Sequence, residues 1–177
     1  MAFRCLSVLL LIGAVGVTGC ASGDSQSTHI VADPDVVALV DLDAVPTSYY
    51  VCHGYGCQEH SLIGLGKAEW QTVHSLFRRP APNAIAERQR VASAIALFEQ
   101  ASGRKTGTES DSPKTPFSFF DKSQLDCVDE SINTSTYLNM LQRFGMLRWH
   151  RPAVPVRRGN PLTFDIHFSG SLVELQS

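Results

Sequence analysis

Apolar and polar positions change their rhythm several times along the chain. From Leu6 to Val17 the residues are apolar without a period, after a single cation, Arg4, and before Thr18-Gly19-Cys20. The run is short for the ~20 apolar residues that cross a bilayer and ends in small residues, which predicts a secretion signal over residues 1–19. Val36–Val45 and Thr47–Cys52 are dense in Val, Leu and Tyr with Pro46 between them, which predicts one or two short strands. From Lys67 to Arg78, Trp70, Val73 and Phe77 recur at helical spacing, closed by Pro80 and Pro82. A second helix is predicted over Asn83–Ser102, with Asn83 as N-cap, an apolar stripe of Ile85, Val91, Ala92, Ile95 and Phe98, and Gly103 as its stop. A third runs from Cys127 to Phe144 with Val128, Ile132, Leu138, Leu141 and Phe144 inward and Gly145 as its stop. Met146–His150 and Leu162–Leu175 read as strands, separated by Pro152, Pro155 and an Arg-Arg-Gly-Asn turn.

The aperiodic stretch Arg104–Gln124 reads as a long loop, a length uncommon in compact domains and often functional. Its Phe117, Phe119 and Phe120 either pack the loop down or line a cleft in front of the third helix. The order of elements predicts an α+β domain: three helices on a small, antiparallel and incomplete sheet. The expected organisation is a signal at 1–19, a flexible polar tether at 20–34 and a single domain at 35–177.

Charge removes one class of partner. The 15 basic and 17 acidic residues give a net charge of −2, and no basic run could neutralise a series of phosphates, so no nucleic-acid partner is expected. Phosphate-loop, H-E-x-x-H, G-x-S-x-G and EF-hand patterns do not occur, and no cofactor is expected.

The five cysteines carry the candidate chemistry. Cys5 lies in the signal. Cys52, His53, Cys57 and His60 are four potential zinc ligands within nine residues, but a C-x4-C spacing without a second pair fits a disulfide between Cys52 and Cys57 as well. Either cysteine could also pair with Cys127. Three cysteines cannot all pair within one chain, and a bridge between Cys52 and Cys57 leaves Cys127 as a free thiol. Cys127 opens the third helix, where backbone N–H groups and the dipole favour thiolate, although Asp126 and Asp129 oppose it by charge and Asp126 can serve as a cap. A small buried apolar residue is the alternative role for Cys127. A general base has to reach that sulfur; His167 is preferred over His150, because Asp165, His167 and Ser169 share one polar face of a strand.

Three resemblances bear on these residues. Val17-Thr18-Gly19-Cys20 resembles the lipobox of bacterial lipoproteins, which implies a lipidated Cys20 at the mature N-terminus and a palmitate-type anchor. Membrane attachment through that lipid would place the protein in the cell envelope, and Ala21 favours the periplasmic side of the outer membrane. Asp126-Cys127-x-Asp129 opening a helix, with a histidine on a following strand, resembles the core of the transglutaminase-like branch of papain-like cysteine hydrolases. Asp126–Glu174 is also similar to bacterial secreted proteins in which D-C-x-D-E-S-x-N-T precedes a His-aromatic-small strand.

The resemblance implies Cys127 as nucleophile and His167 as base, acting on an amide or thioester of a peptide or protein substrate. The orienting Asp of that family falls on a later strand, and the sequence stops at Ser177 before one, which implies a C-terminally truncated member or a stand-in such as Asn133. The alternative expectation is a non-enzymatic envelope lipoprotein, a binding module or an inactive pseudoenzyme.

Overall fold

The computed structural model describes residues 31–110, 124–159 and 166–175. Cys20, the phenylalanines at 117, 119 and 120, and Asp165 lie outside these residues. Four helices and two small antiparallel sheets make an α+β fold. The order is β1 (Val31–Ala32), α1 (Pro34–Ala38), β2 (Tyr49–His53), β3 (Glu59–Ile63), α2 (Lys67–Leu76), α3 (Ala84–Thr106), α4 (Cys127–Arg143), β4 (His150–Arg158) and β5 (His167–Glu174). One sheet is ordered β1-β4-β5 and the other is the β2–β3 hairpin.

The central element is α4. Ten of its residues are buried, from Asp129 to Leu141, because the hairpin, the β4–β5 pair, α3 and α1 all pack on it. Tyr49 of β2, Phe98 of α3 and Tyr137 of α4 meet in the main core. Phe98 stacks on Tyr137 at 4.7 Å, and Tyr49 stands edge-on to both. The two tyrosine hydroxyls converge on Ser102 Oγ, at 3.2 Å from Tyr49 and 3.0 Å from Tyr137, so the polar ends of these rings are buried with a partner. Burial pushes both phenols up from their ordinary value.

Several predicted elements shift. Val36–Val45 is not a strand: Asp33 caps α1, accepting from Asp35 N at 3.2 Å, with Pro34 in the first turn. Asp-Pro-Asp is a helix start, and it overrides the strand preference of the valines behind it. Val31 and Ala32, within the stretch expected as tether, pair with Arg157 and Val156. Helix α3 starts as predicted, Asn83 Oδ1 accepting from Ala86 N at 2.8 Å, but runs through Gly103 to Gly107, which takes the left-handed φ of 79°. At Gly103 an added Cβ would lie 3.2 Å from the Glu109 backbone, so this glycine serves close packing and not termination. Ile85 and Ala92 of the predicted stripe face solvent, and Ala94, Ala101 and Glu87 are buried instead. Phe144 is exposed at the end of α4.

The strand after α4 begins at His150, and Pro152 and Pro155 lie inside it. Pro152 pairs with Leu172, and the register then slips between Ala153 and Val156, leaving Val154 and Pro155 in a bulge. A bulge tolerates a residue that cannot donate to the ladder.

Two carboxylates tie helices together. Glu69 of α2 accepts from Arg104 and Lys105 of α3, and Lys105, then the Gly66 N–H, hold its carboxyl down to about 2. Glu87 of α3, 1% exposed, accepts backbone N–H bonds from Arg148 (2.8 Å), Trp149 (2.9 Å) and His150 (2.9 Å), and lies 3.0 Å from His150 Nδ1. It supplies the acceptors for the segment joining α4 to β4. Glu87→Ala strands these donors, and urea unfolding is expected to show a loss of about 3 kcal/mol or more.

Candidate functional site

The first turn of α4 faces the tip of the β2–β3 hairpin. Strand pairing runs from Tyr49↔Ile63 to His53↔Glu59, and the tip is closed by a disulfide between Cys52 and Cys57, Cα atoms 4.7 Å apart. Four successive residues there have positive φ: Gly54 (80°), Tyr55 (65°), Gly56 (65°) and Cys57 (58°). Two of them carry a Cβ, for which this region is sterically costly.

Successive left-handed residues turn their N–H groups toward a common anion. Here the anion is a pair of side chains. Asp129 accepts from Tyr55 N at 2.9 Å and Cys57 N at 2.6 Å, and Asp126 Oδ2 accepts from Gly56 N at 3.0 Å. The same two carboxylates cap the helix: Asp126 Oδ1 accepts from Val128 N and Asp129 N, and Asp129 accepts from Asp126 N at 3.1 Å. One turn on, Asn133 bonds both backbone groups of Cys52, donating to its O at 2.9 Å and accepting from its N at 2.7 Å. Asn133 thus extends the hairpin attachment and is not placed to orient a histidine.

Asp129 is fully buried. Burial pushes its carboxyl up from 3.8 to about 6; the charge of Asp126 pushes the same way, while the N–H bonds from Asp126, Cys57 and Tyr55 pull it down.

Cys127, between these acids, is a half-buried free thiol, and the pairing of Cys52 with Cys57 leaves it so. The disulfide takes two of the four potential zinc ligands. His53 Nε2 turns to Ser61 Oγ at 3.0 Å, and the His60 ring stands against Tyr50. No group of three metal-ligating residues forms among the described residues.

His167 stands opposite Arg158 at the start of β5. The inward face of that strand is known from its neighbours. Phe168 packs with Val128 and Ile132, a Cβ on Gly170 would meet Thr134 at 2.8 Å, and Leu172 joins the main core. His167 alternates with these residues, so it is exposed on the face turned away from α4. Among the described residues no hydrogen bond joins His167 to Cys127. His150 lies at the other end of α4, about 24 Å along a helix of this length. It is buried at 2%, between Glu87 and, on its Nε2 side, Arg88 NH1 at 3.3 Å and Glu174 at 3.9 Å.

Sequence reasoning singled out Cys127 and undervalued its neighbours. The signal was present, since Asp-x-x-Asp at a helix start is a capping pattern, but the partner loop lies some 70 positions away in the chain. Comparison with protein-family models, curated proteins and solved structures finds no match.

Because Asp129 binds a proton more tightly folded than unfolded, its contribution to stability is larger at low pH and is lost as pH rises through about 6. Between pH 7 and pH 5 the urea midpoint of the wild type is expected to rise relative to that of Asp129→Asn, and a carboxyl-carbon NMR titration should place the Asp129 transition above the ordinary carboxylate range.

Proposed function

We propose that the chain is a bacterial envelope lipoprotein, held to the outer membrane through lipid on Cys20, whose folded body is a non-enzymatic binding module or an inactive relative of the cysteine hydrolases. The anchor rests on the lipobox-like Val17–Cys20 and the apolar run before it. Among the described residues no helix is long and apolar enough to cross a membrane.

One observation carries the non-enzymatic reading: the residues flanking Cys127 are engaged in holding the hairpin, and the strand parity of β5 turns His167 away from α4. An attacking thiol needs a base within hydrogen-bond reach and a group that orients that base. The imidazole set against a carboxylate, His150 beside Glu87, lies toward the other end of the helix.

Two measurements test the two halves separately. Mass spectrometry of the mature N-terminus is expected to find acylated Cys20, with Cys20→Ser losing both the lipid and the membrane fraction; an unmodified Cys20 overturns the anchor. Iodoacetamide labelling of Cys127 at neutral pH is expected to proceed at the same rate in wild type and His167→Ala. A clear drop in the variant would reinstate the Cys127–His167 pair.

A further inference from the structure

We propose that the cavity between the end of α2, the flank of α3 and the turn after α4 is an anion site, which takes the phosphate of a small molecule carrying an apolar group. The inference goes beyond the reading above and uses neither Cys20 nor Cys127.

Arginines far apart in the sequence come together there. Arg79 follows α2, Arg90 lies on α3 and Arg148 follows α4, and all three line one cavity of about 290 Å3. A space of that volume is about 8 Å across, no more than the ~8 Å over which a charge acts at physiological salt, so the three cations bear on the same ligand. No Asp or Glu lines the cavity among the described residues. The ion pairs formed by described arginines and lysines use Arg88, Arg104, Lys105 and Arg143 instead. Three like charges around one small space repel one another, and an anion placed between them relieves that repulsion.

The walls are held in place by the fold itself. Arg90 donates through NH1 to the Arg79 carbonyl, which keeps α3 against the segment after α2. Arg148 lies over the Trp149 ring at 5.5 Å, and Trp149 Nε1 donates to Ala81 O at 2.8 Å, tying the turn after α4 to the same segment. Glu87 receives the N–H groups of Arg148 and Trp149, so the backbone that carries Arg148 is fixed from the buried side. A site ordered in advance spends little of its binding energy on ordering.

The lining also sets the class of ligand. One bidentate arginine satisfies a carboxylate, whereas a phosphate monoester, with nearly two negative charges and three terminal oxygens, can use several guanidinium forks. Phe77, Ala81 and Met146 complete the wall, the last two buried, and an apolar substituent on the phosphate gains by covering them. The sequence has no basic run leading away from the cavity, so the ligand carries a single phosphate and is not a polyanion.

The test is a calorimetric titration of the full chain with phenyl phosphate, set against inorganic phosphate and benzoate. Phenyl phosphate is expected to saturate in the millimolar range or tighter, and the other two to bind at least about tenfold more weakly. Arg79→Gln and Arg148→Gln replace exposed side chains, and each is expected to weaken phenyl phosphate at least about tenfold without moving the urea midpoint. Arg151→Gln, at an exposed arginine of β4 that lines a different groove, is expected to bind as the wild type does. Absence of saturable binding overturns the site. Inorganic phosphate or benzoate binding as tightly as phenyl phosphate overturns the ligand class, and an equal loss in Arg151→Gln reduces the effect to general charge attraction and overturns the site as well. Arginine Nε–Hε NMR signals of the wild type give a reading that needs no variant: those of Arg79, Arg90 and Arg148 are expected to move on titration, and signals that stay in place overturn the proposal.

Discussion

A buried carboxylate receiving backbone N–H groups from an irregular segment is the interaction this fold depends on, and it occurs at both ends of α4. At the N-terminal end Asp129 and Asp126 receive the hairpin tip. At the C-terminal end Glu87 receives the segment that leads from α4 into β4. A tight turn with four left-handed residues cannot satisfy its own donors, and neither can a chain leaving a helix for a strand. Burying either without acceptors would cost more than a typical hydrogen bond returns. Single carboxylates with several lone pairs answer the need at both places, which lets a helix buried on nearly every side be joined closely to its neighbours.

How much of this was legible follows from the range of each interaction. The starts of α2, α3 and α4 were readable because caps and helical periods are local; Asn83 and Asp126 act on N–H groups two or three residues away. Counting showed that one of the three cysteines must stay free, and the structure settles which pair forms, Cys52 with Cys57. Strand placement failed where a local signal was outweighed by another: Asp33-Pro34 made a helix of a valine-rich run, and a bulge let β4 run through two prolines. Nothing near Glu87 in sequence shows that its partners begin 61 positions later.

The candidate nucleophile illustrates the same limit. Cys127 does open a helix, and the parity assigned to β5 holds, with His167 opposite in direction to Phe168. What periodicity could not supply was which face of the strand meets the helix. That choice is made by Phe168, Gly170 and Leu172, which fit against Val128, Thr134 and the core, so the polar face turns outward.

The bulge in β4 has a consequence for encounters between copies of the chain. Because the chain turns after Ala32 into α1, β4 from His150 to Pro155 has no strand partner on that side among the described residues. An open margin is a template on which another copy of the chain can add a strand. Pro152 and Pro155 lack the N–H that such an addition would use, and the slip in register between Ala153 and Val156 spoils the spacing of the remaining groups. The two prolines thus act as a guard against edge-to-edge aggregation.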